Sequence, residues 1–429
     1  MNRNKTDIRQ TILPGLIELT TISRDAFDVS IETSIFNVKK GSSSTTVRYN
    51  ASRDAPISSY TQLLNVNGFA EVNEWEEYSL HTSNKGPHQV YEFDKDLYEN
   101  SFRNVFYEPS VRNIGWYQRF FTPVMQTYAD WEKEIGNVRS LRASRTEVCQ
   151  EYLQNLEQGD FCLFGLYAEG GRGLKTDDIT EYVGVQQSTQ KAERIREQGY
   201  YNRIDSQITT IVTEDQIADP DTLGEKEKGN GIKGDRHWVP AHRSIKTYDK
   251  FYAPTDEYFN WSEEKVTELR ENVSLTNSEA YFTRILGTKQ GGGVRDATWR
   301  IFDPGIVLNT VLAYQPLTPD SDADFEFNAE EVMSLEYVMG VLNSSFVDEL
   351  MDSLLNRVGQ TTVGTRLLPI VVPTDEQEQQ IEEIVEDAIE LQKLREEQLD
   401  KPDSEKMEKI IERLDEAVRS IYGLNPLND

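Results

Sequence analysis

The last third of the chain constrains its fold most. Two apolar stripes at helical spacing, Ile381, Ile384, Val385, Ala388 and Leu391, then Met407, Ile410, Ile411, Leu414, Val418 and Ile421, are separated by the turn "LDKPDS". Thr374 and Gln377 make a capping box for the first helix. The pattern predicts an antiparallel helical hairpin over 374–429 with an acidic outer face, and such a hairpin packs on a neighbour. That neighbour is at hand in "SLEYVMGVLNSSFVDELMDSLLNRVGQTTVGTRLLPIVVP", which reads as an apolar helix, a Gly/Thr-rich loop carrying Arg366, and a short strand closed by prolines. The fold class expected is α+β.

The other end is unlike this one. In "GLIELTTISRDAFDVSIETSIFNVKKGSSS", apolar and polar residues alternate through Phe27, Val29 and Ile31, then Ile35, Phe36 and Val38, up to the turn at Gly41 to Ser44. Two or three strands are expected, with no helical domain before them. A sheet this small leaves edges and apolar faces to cover, unless it is the first hairpin of a local sheet.

Between the ends, residues 71–157 are mixed and aromatic, and a helix is expected over 140–156 with Arg139, Arg142 and Arg145 on one face, either a phosphate contact or a salt-bridged surface. "GDFCLFGLYAEGGRGLKTDDITEYVGV" reads as strand, glycine-rich loop with Arg172 and Lys175, and strand. Successive N–H groups of such loops can cradle anions. Its spacing matches neither G-x-G-x-x-G nor G-x-x-x-x-G-K-[ST], so no nucleotide loop is supported. Near 236–261, aromatic and cationic residues interleave, and Ser262 is placed to N-cap a helix carrying Val266, Leu269 and Val273. "YFTRILGTKQGGGVRDATWR" is the most cationic stretch, with Arg284, Lys289, Arg295 and Arg300 around a triple glycine. It suits a groove or a phosphate, or else a solvated hairpin tip.

Charge limits the partners. The 429 residues hold 74 acidic and 45 basic side chains, a formal charge of −29, spread along helix faces and loops as in salt-adapted proteins. Such a surface repels phosphate and anionic membranes at low salt unless cations are concentrated somewhere. Two cysteines, Cys149 and Cys162, make no disulfide framework, and no signal peptide or membrane-spanning run is visible. A cytoplasmic location with no membrane role is expected. His81, His88, His237 and His242 lack metal-ligand spacing, so no metal site is expected, and there is no G-x-S-x-G elbow. Asp256, Glu263 and Lys265 form a faint nuclease-like set, better explained by charge at a helix start.

Several of these segments resemble one family. "YVMGVLNSSFVDELMDSL" looks like the Leu-Asn-Ser helix near the end of adenine-N6 DNA methyltransferases of the type IIG and BREX-like kinds. "RLLPIVVPTDEQEQQIEEIVEDAIELQ" resembles the segment that follows it there, and "EKMEKIIERLDEAVRSIYGL" the closing helix. "GLKTDDITEYVGV" is similar to the start of the family's target-recognition region, with Asp177 where the family usually has glycine, and "FYAPTDEYFNWSEEKVTELRENV" to its middle. "AFDVSIETSIFNVKKG" looks like late strands of the methyltransferase sheet.

The resemblance implies remnant strands of a Rossmann-like methyltransferase sheet over 1–50, a connecting region over 51–158, a mixed α/β target-recognition domain over 159–373 and the helical hairpin over 374–429. It implies double-stranded DNA as a partner, with Lys175, Arg284, Lys289, Arg295 and Arg366 as the loop cations that would contact it. The family's S-adenosylmethionine loop and Pro-Pro catalytic motif have no counterpart here, since the chain has no Pro-Pro dipeptide. No catalytic residue and no cofactor are therefore expected in this chain. S-adenosylmethionine would belong to the complete enzyme, and a catalytic half would meet residues 1–50. The alternative is a non-catalytic interaction protein that keeps the fold without binding DNA.

Overall fold

The structure is a computed structural model that describes residues 6–22, 33–51, 89–99, 147–176, 178–201, 207–243, 250–272, 275–289, 298–319, 326–348, 365–366, 368–398 and 404–423. The chain divides into two units, one of residues 1–138 and 349–357, the other of residues 139–348 and 358–429. The architecture is α+β, with helices set beside several small sheets.

In the first unit a short helix, Thr6–Ile12, is stopped by the Leu13–Gly15 turn, where Pro14 ends helical pairing. This helix precedes the strands, where strands alone were expected. Four strands follow: β1 (Leu16–Ile22), β2 (Thr33–Val38), β3 (Thr46–Ala51) and β4 (Gln89–Asp94). Their order is β2-β1-β3-β4, with β1 antiparallel to β2 and parallel to β3. Leu16, Glu18, Leu19 and Thr20 of β1 are all buried, as befits a central strand covered on both faces. Ile35, Phe36 and Val38 lie on β2 and Gly41 takes the turn at φ 71°, whereas Phe27, Val29 and Ile31 fall outside the described residues. Lys95, just past β4, turns its buried ammonium onto the carbonyls of Ser44 (2.7 Å) and Pro14 (3.1 Å), and burial lowers its pKa.

The first described element of the second unit is the helix Glu147–Gln154, and the Arg139, Arg142 and Arg145 stripe lies outside the described residues. Next come β5 (Phe161–Leu163), one helical turn at Phe164–Tyr167, β6 (Ala168–Arg172) and β7 (Val183–Gln186). Here the glycine-rich "loop" proves to be strand as far as Arg172, with Gly173 to Lys175 beyond its end. Gly170 and Gly173 are glycine because neighbouring backbone occupies the side-chain space: a Cβ would sit 2.0 Å from the Ala313 carbonyl oxygen at the first and 2.3 Å from that of Val307 at the second. Tight strand packing, rather than ligand approach, accounts for them.

The remaining strands are β8 (Thr210–Val212), β9 (Trp238–His242), β10 (Glu257–Asn260), β11 (Ile285–Lys289), β12 (Trp299–Phe302), β13 (Ile306–Val307), β14 (Val311–Pro316) and β15 (Pro369–Val371). They build a mixed sheet β13-β9-β10-β7-β8, an antiparallel sheet β12-β11-β14-β6, and the pair β15-β5. The mixed sheet is covered by the helix Glu263–Asn272, whose start is capped by Ser262 and whose Val266 and Leu269 pack with Phe259 and Trp261. A buried ion cluster ties the sheet to the helix Gln190–Gln198. Lys191 lies 2.7 Å from both Asp256 and Glu257, and Arg243 holds Glu257 at 2.7 Å and 3.0 Å.

The helical hairpin forms as its stripes demand. Helices Asp375–Gln398 and Ser404–Ile421 bury Ile381, Ile384, Val385 and Ala388 with Leu414 and Val418, and Arg413 bridges to Asp387 at 2.7 Å. The capping box is present, with Thr374 N–H donating to Gln377 Oε1 (2.9 Å) and Gln377 N–H to Thr374 Oγ1 (3.3 Å). Its apolar side meets the helix Leu335–Leu342 at Gly340, and Tyr422 donates to the Pro369 carbonyl at 2.6 Å, joining the hairpin to β15. Among the described residues no helix is long and apolar enough to cross a membrane.

Candidate nucleic-acid interface

Strand register assembles a basic end on the antiparallel sheet. Lys289 closes β11 opposite Val311, and Arg172 closes β6 opposite Leu312, so both cations flank the first two residues of β14. With strands ~4.8 Å apart, the two positions are about 10 Å from each other, and because Val311 and Leu312 are consecutive, Lys289 and Arg172 project from opposite faces of that one sheet end. Lys175 follows on the same end. The chain reaches it through Gly173 N–H to Val311 O (3.2 Å) and Leu174 N–H to Val307 O (2.7 Å), which fold the end of β6 down against the turn before β14.

Arg172, Lys175 and Lys289 are exposed, and neither lysine makes an ion pair or hydrogen bond among the described residues. In so acidic a chain that is informative. Lys228, Lys233, Lys265, Lys409 and Arg413 all stand within 4 Å of a carboxylate. Sequence reasoning notes Arg172 in the glycine-rich segment but leaves it out of the DNA-contacting set, because its place at the Lys289 end of the sheet follows from register, which no local pattern encodes.

The five cations expected from the sequence do not gather in one place. Lys175 and Lys289 share the basic end. Arg284 sits at the other end of β11, about 17 Å away by strand rise, where its guanidinium pairs with Glu336 and lies 3.7 Å from Glu330. Arg366 is buried, 8% exposed, with its stem against Gly165. A residue so enclosed does not present its charge to a passing duplex. Arg295 lies outside the described residues, in the connection from β11 to β12.

Other candidate chemistry is accounted for by structure. Asp256 pairs with Lys191, Glu263 with Lys233 (3.4 Å), and Lys265 with Glu268 (2.8 Å) and Glu181 (3.5 Å), so the nuclease-like set is spent on separate partners. No group of three or more potential metal ligands occurs among the described residues. His242 is buried against Phe302, with a ring nitrogen 2.8 Å from the Asp303 carbonyl; burial and the Arg300 charge lower its pKa to about 3. Burial pushes the Cys162 thiol far up, leaving it inert. Asn343 and Ser344 of the Leu-Asn-Ser helix are fully buried, and their hydrogen bonds go to backbone.

These features define an α+β protein with a basic sheet end on an otherwise acidic surface. Among solved structures the chain is similar to the type IIG restriction endonuclease BpuSI, with 11% identity and a TM-score of 0.30, over 98% of this chain and 45% of that one. The chain thus spans less than half of that protein's length. At that TM-score the likeness establishes neither fold nor function. No family model and no curated protein matches the chain.

Proposed function

We propose that the second unit recognises double-stranded DNA as the target-recognition part of a site-specific adenine-N6 methylation system. The observation that carries this reading is the concentration of Arg172, Lys175 and Lys289 at one end of a sheet, with neither lysine partnered among the described residues of a chain of charge −29. Phosphate contacts supply most of the affinity of DNA-binding surfaces, and an acidic protein needs such a local reversal of charge to approach a duplex. The resemblance of the 334–424 run to the methyltransferase family supplies the biological setting. Methyl transfer needs S-adenosylmethionine and a pocket for the flipped adenine, and these come from a catalytic half that meets residues 1–50.

The test is binding of duplex DNA by the full chain across a salt series, by fluorescence anisotropy. Each lysine that neutralises a phosphate contributes about −0.9 to the slope of log affinity against log salt. Replacing Lys175 and Lys289 together by Ala is expected to lower that slope by nearly two. An unchanged slope and affinity would remove the basic end from the interface and leave the interaction-protein reading.

A further inference from the structure

Arg366 presents a problem that DNA contact does not solve. It is 8% exposed, its Nε is buried with no partner, and among the described residues it makes no ion pair or hydrogen bond. A guanidinium whose Nε is buried with no counter-ion among the described residues is a costly arrangement. The groups around it deepen the puzzle. Thr288 lies opposite Trp299 on one side and Leu312 on the other, and Tyr314 is two residues beyond Leu312, so Thr288, Trp299 and Tyr314 project from one face of the antiparallel sheet.

All three are fully buried, and among the described residues Thr288 Oγ1, Trp299 Nε1 and Tyr314 Oη have no hydrogen-bond partner. Tyr314 Oη feels the Arg366 charge and lies near the Thr365 side chain without the geometry of a hydrogen bond. Phe164 packs edge-on against both aromatic rings, 5.7 Å from Trp299 and 5.0 Å from Tyr314. Its neighbour Gly165 supports Arg366, where a Cβ would come within 2.7 Å of the arginine's own Cβ. The indole N–H only donates, either hydroxyl can donate, and the guanidinium brings a charge with a forked pair of donors.

We propose that Arg366, Thr288, Trp299 and Tyr314 form a binding site for a tetrahedral oxyanion of the phosphate type, enclosed between this sheet face and the 365–366 turn. The guanidinium fork takes two oxygens, and the indole N–H and the hydroxyls take the others. The anion neutralises the arginine and satisfies the orphaned donors together, whereas water would satisfy donors without neutralising the charge. Thr288 adjoins Lys289 on β11 but projects from the opposite face of the sheet, and the site holds whether or not the exposed lysines bind DNA.

The experiment uses the full chain, labelled with ¹⁵N, at an ionic strength held constant with potassium chloride. The indole N–H resonance of Trp299, assigned through Trp299→Phe, is followed while inorganic phosphate or adenosine monophosphate is added. A saturable shift is expected, abolished in Arg366→Gln, weakened several-fold in Thr288→Val, and retained in Arg284→Gln. Tighter binding of the nucleotide would assign the phosphate to a nucleotide, and tighter binding of phosphate to the free ion. The proposal fails if neither ligand gives a saturable shift, or if Arg366→Gln responds as the parent does. Should Arg366→Gln not fold, an unaltered response in Thr288→Val overturns it equally.

Discussion

The side-chain amide of Asn343 pairs with both backbone groups of Trp299, accepting from its N–H at 2.9 Å and donating to its carbonyl at 2.8 Å. The end of the Leu335–Leu342 helix thus stands in for a neighbouring strand beside β12. The carbonyl also accepts from Phe251 N–H at 3.1 Å, whereas no other bond to the Trp299 N–H is seen among the described residues. Replacing Asn343 by Leu therefore orphans a buried donor, and a loss of about 1–3 kcal/mol is expected from that alone. Denaturant midpoints of parent and variant measure it. Asn343→Asp keeps the acceptor but sets a carboxylate against the carbonyl, and should be no better than Leu at neutral pH.

Gly340 makes a second close contact. A Cβ there would lie 2.4 Å from Ile381 Cγ2 and 3.0 Å from Val385 Cγ2, so the hairpin approaches this helix at glycine distance. Gly340→Ala should cost ~1–3 kcal/mol through overpacking, less the ~1 kcal/mol that alanine returns in helix propensity. In the Gly340→Ala/Ile381→Ala pair the closer of the two contacts is removed, leaving only Val385 at 3.0 Å. The double variant is expected to be more stable than the sum of the two single losses, and a thermal or denaturant cycle that proved additive would place the contact elsewhere.

Two buried groups give stability a dependence on acid. Burial alone would raise the Glu257 carboxyl, but the Arg243 hydrogen bonds and the Lys191 charge reverse this and hold it at about 2, below its ordinary 4.5. Its contribution, on the order of 3 kcal/mol, is present above pH 4.5 and lost as pH falls toward 2. His242, depressed from 6.5 to about 3, is kept neutral by burial and Arg300, so the unfolded chain binds its proton first and stability declines as pH drops below 6.5. Denaturant titrations across pH separate the two. Glu257→Gln should flatten the curve below pH 4.5, and His242→Gln the part that begins at 6.5.

The hairpin is legible in the sequence because a sustained 3.6-residue period and a Thr374–Gln377 capping box both act locally. The same holds for the Ser262 cap. What escapes local reading is set by distant chain. "EGGRG" looks like a loop because glycine disfavours strands, yet Gly170 and Gly173 are needed where Ala313 and Val307 crowd in. Arg366, in a Gly/Thr-rich stretch that reads as solvent-facing, is covered through Gly165, a residue of another segment. Likewise the pairing of Arg172 with the Lys289 end is a product of β14 lying between them.

Salt should stabilise the folded chain. With a formal charge of −29, self-repulsion is large at low ionic strength. Raising salt from 0.1 M to 1 M shortens the Debye length from ~10 Å to ~3 Å and removes most of it. A melting temperature that rises over this range, followed by circular dichroism in potassium chloride, is the expected result. A flat or falling curve would mean that opposite charges already compensate one another on the surface.

Arg284, just before β11, and Lys289, its last residue, stand at opposite ends of that strand and should behave oppositely toward DNA. Arg284 is bound to Glu336 and faces Glu330, so a phosphate would have to displace carboxylates from it; Lys289 has no partner among the described residues and shares the strand end with Arg172 across β14. Exposed pairs such as that of Arg284 contribute ~0–1 kcal/mol to folding, so Arg284→Ala should leave both stability and duplex affinity close to the parent. Lys289→Ala, which touches no described partner, should leave stability unchanged while weakening binding to all duplex sequences alike, with the salt slope reduced by about one. Anisotropy titrations at several salt concentrations read both quantities, with the catalytic partner present if affinity requires it. Were Arg284→Ala to weaken DNA binding and Lys289→Ala not, the interface would lie at the opposite end of the sheet, on the side where Glu330 and Glu336 now hold the arginine.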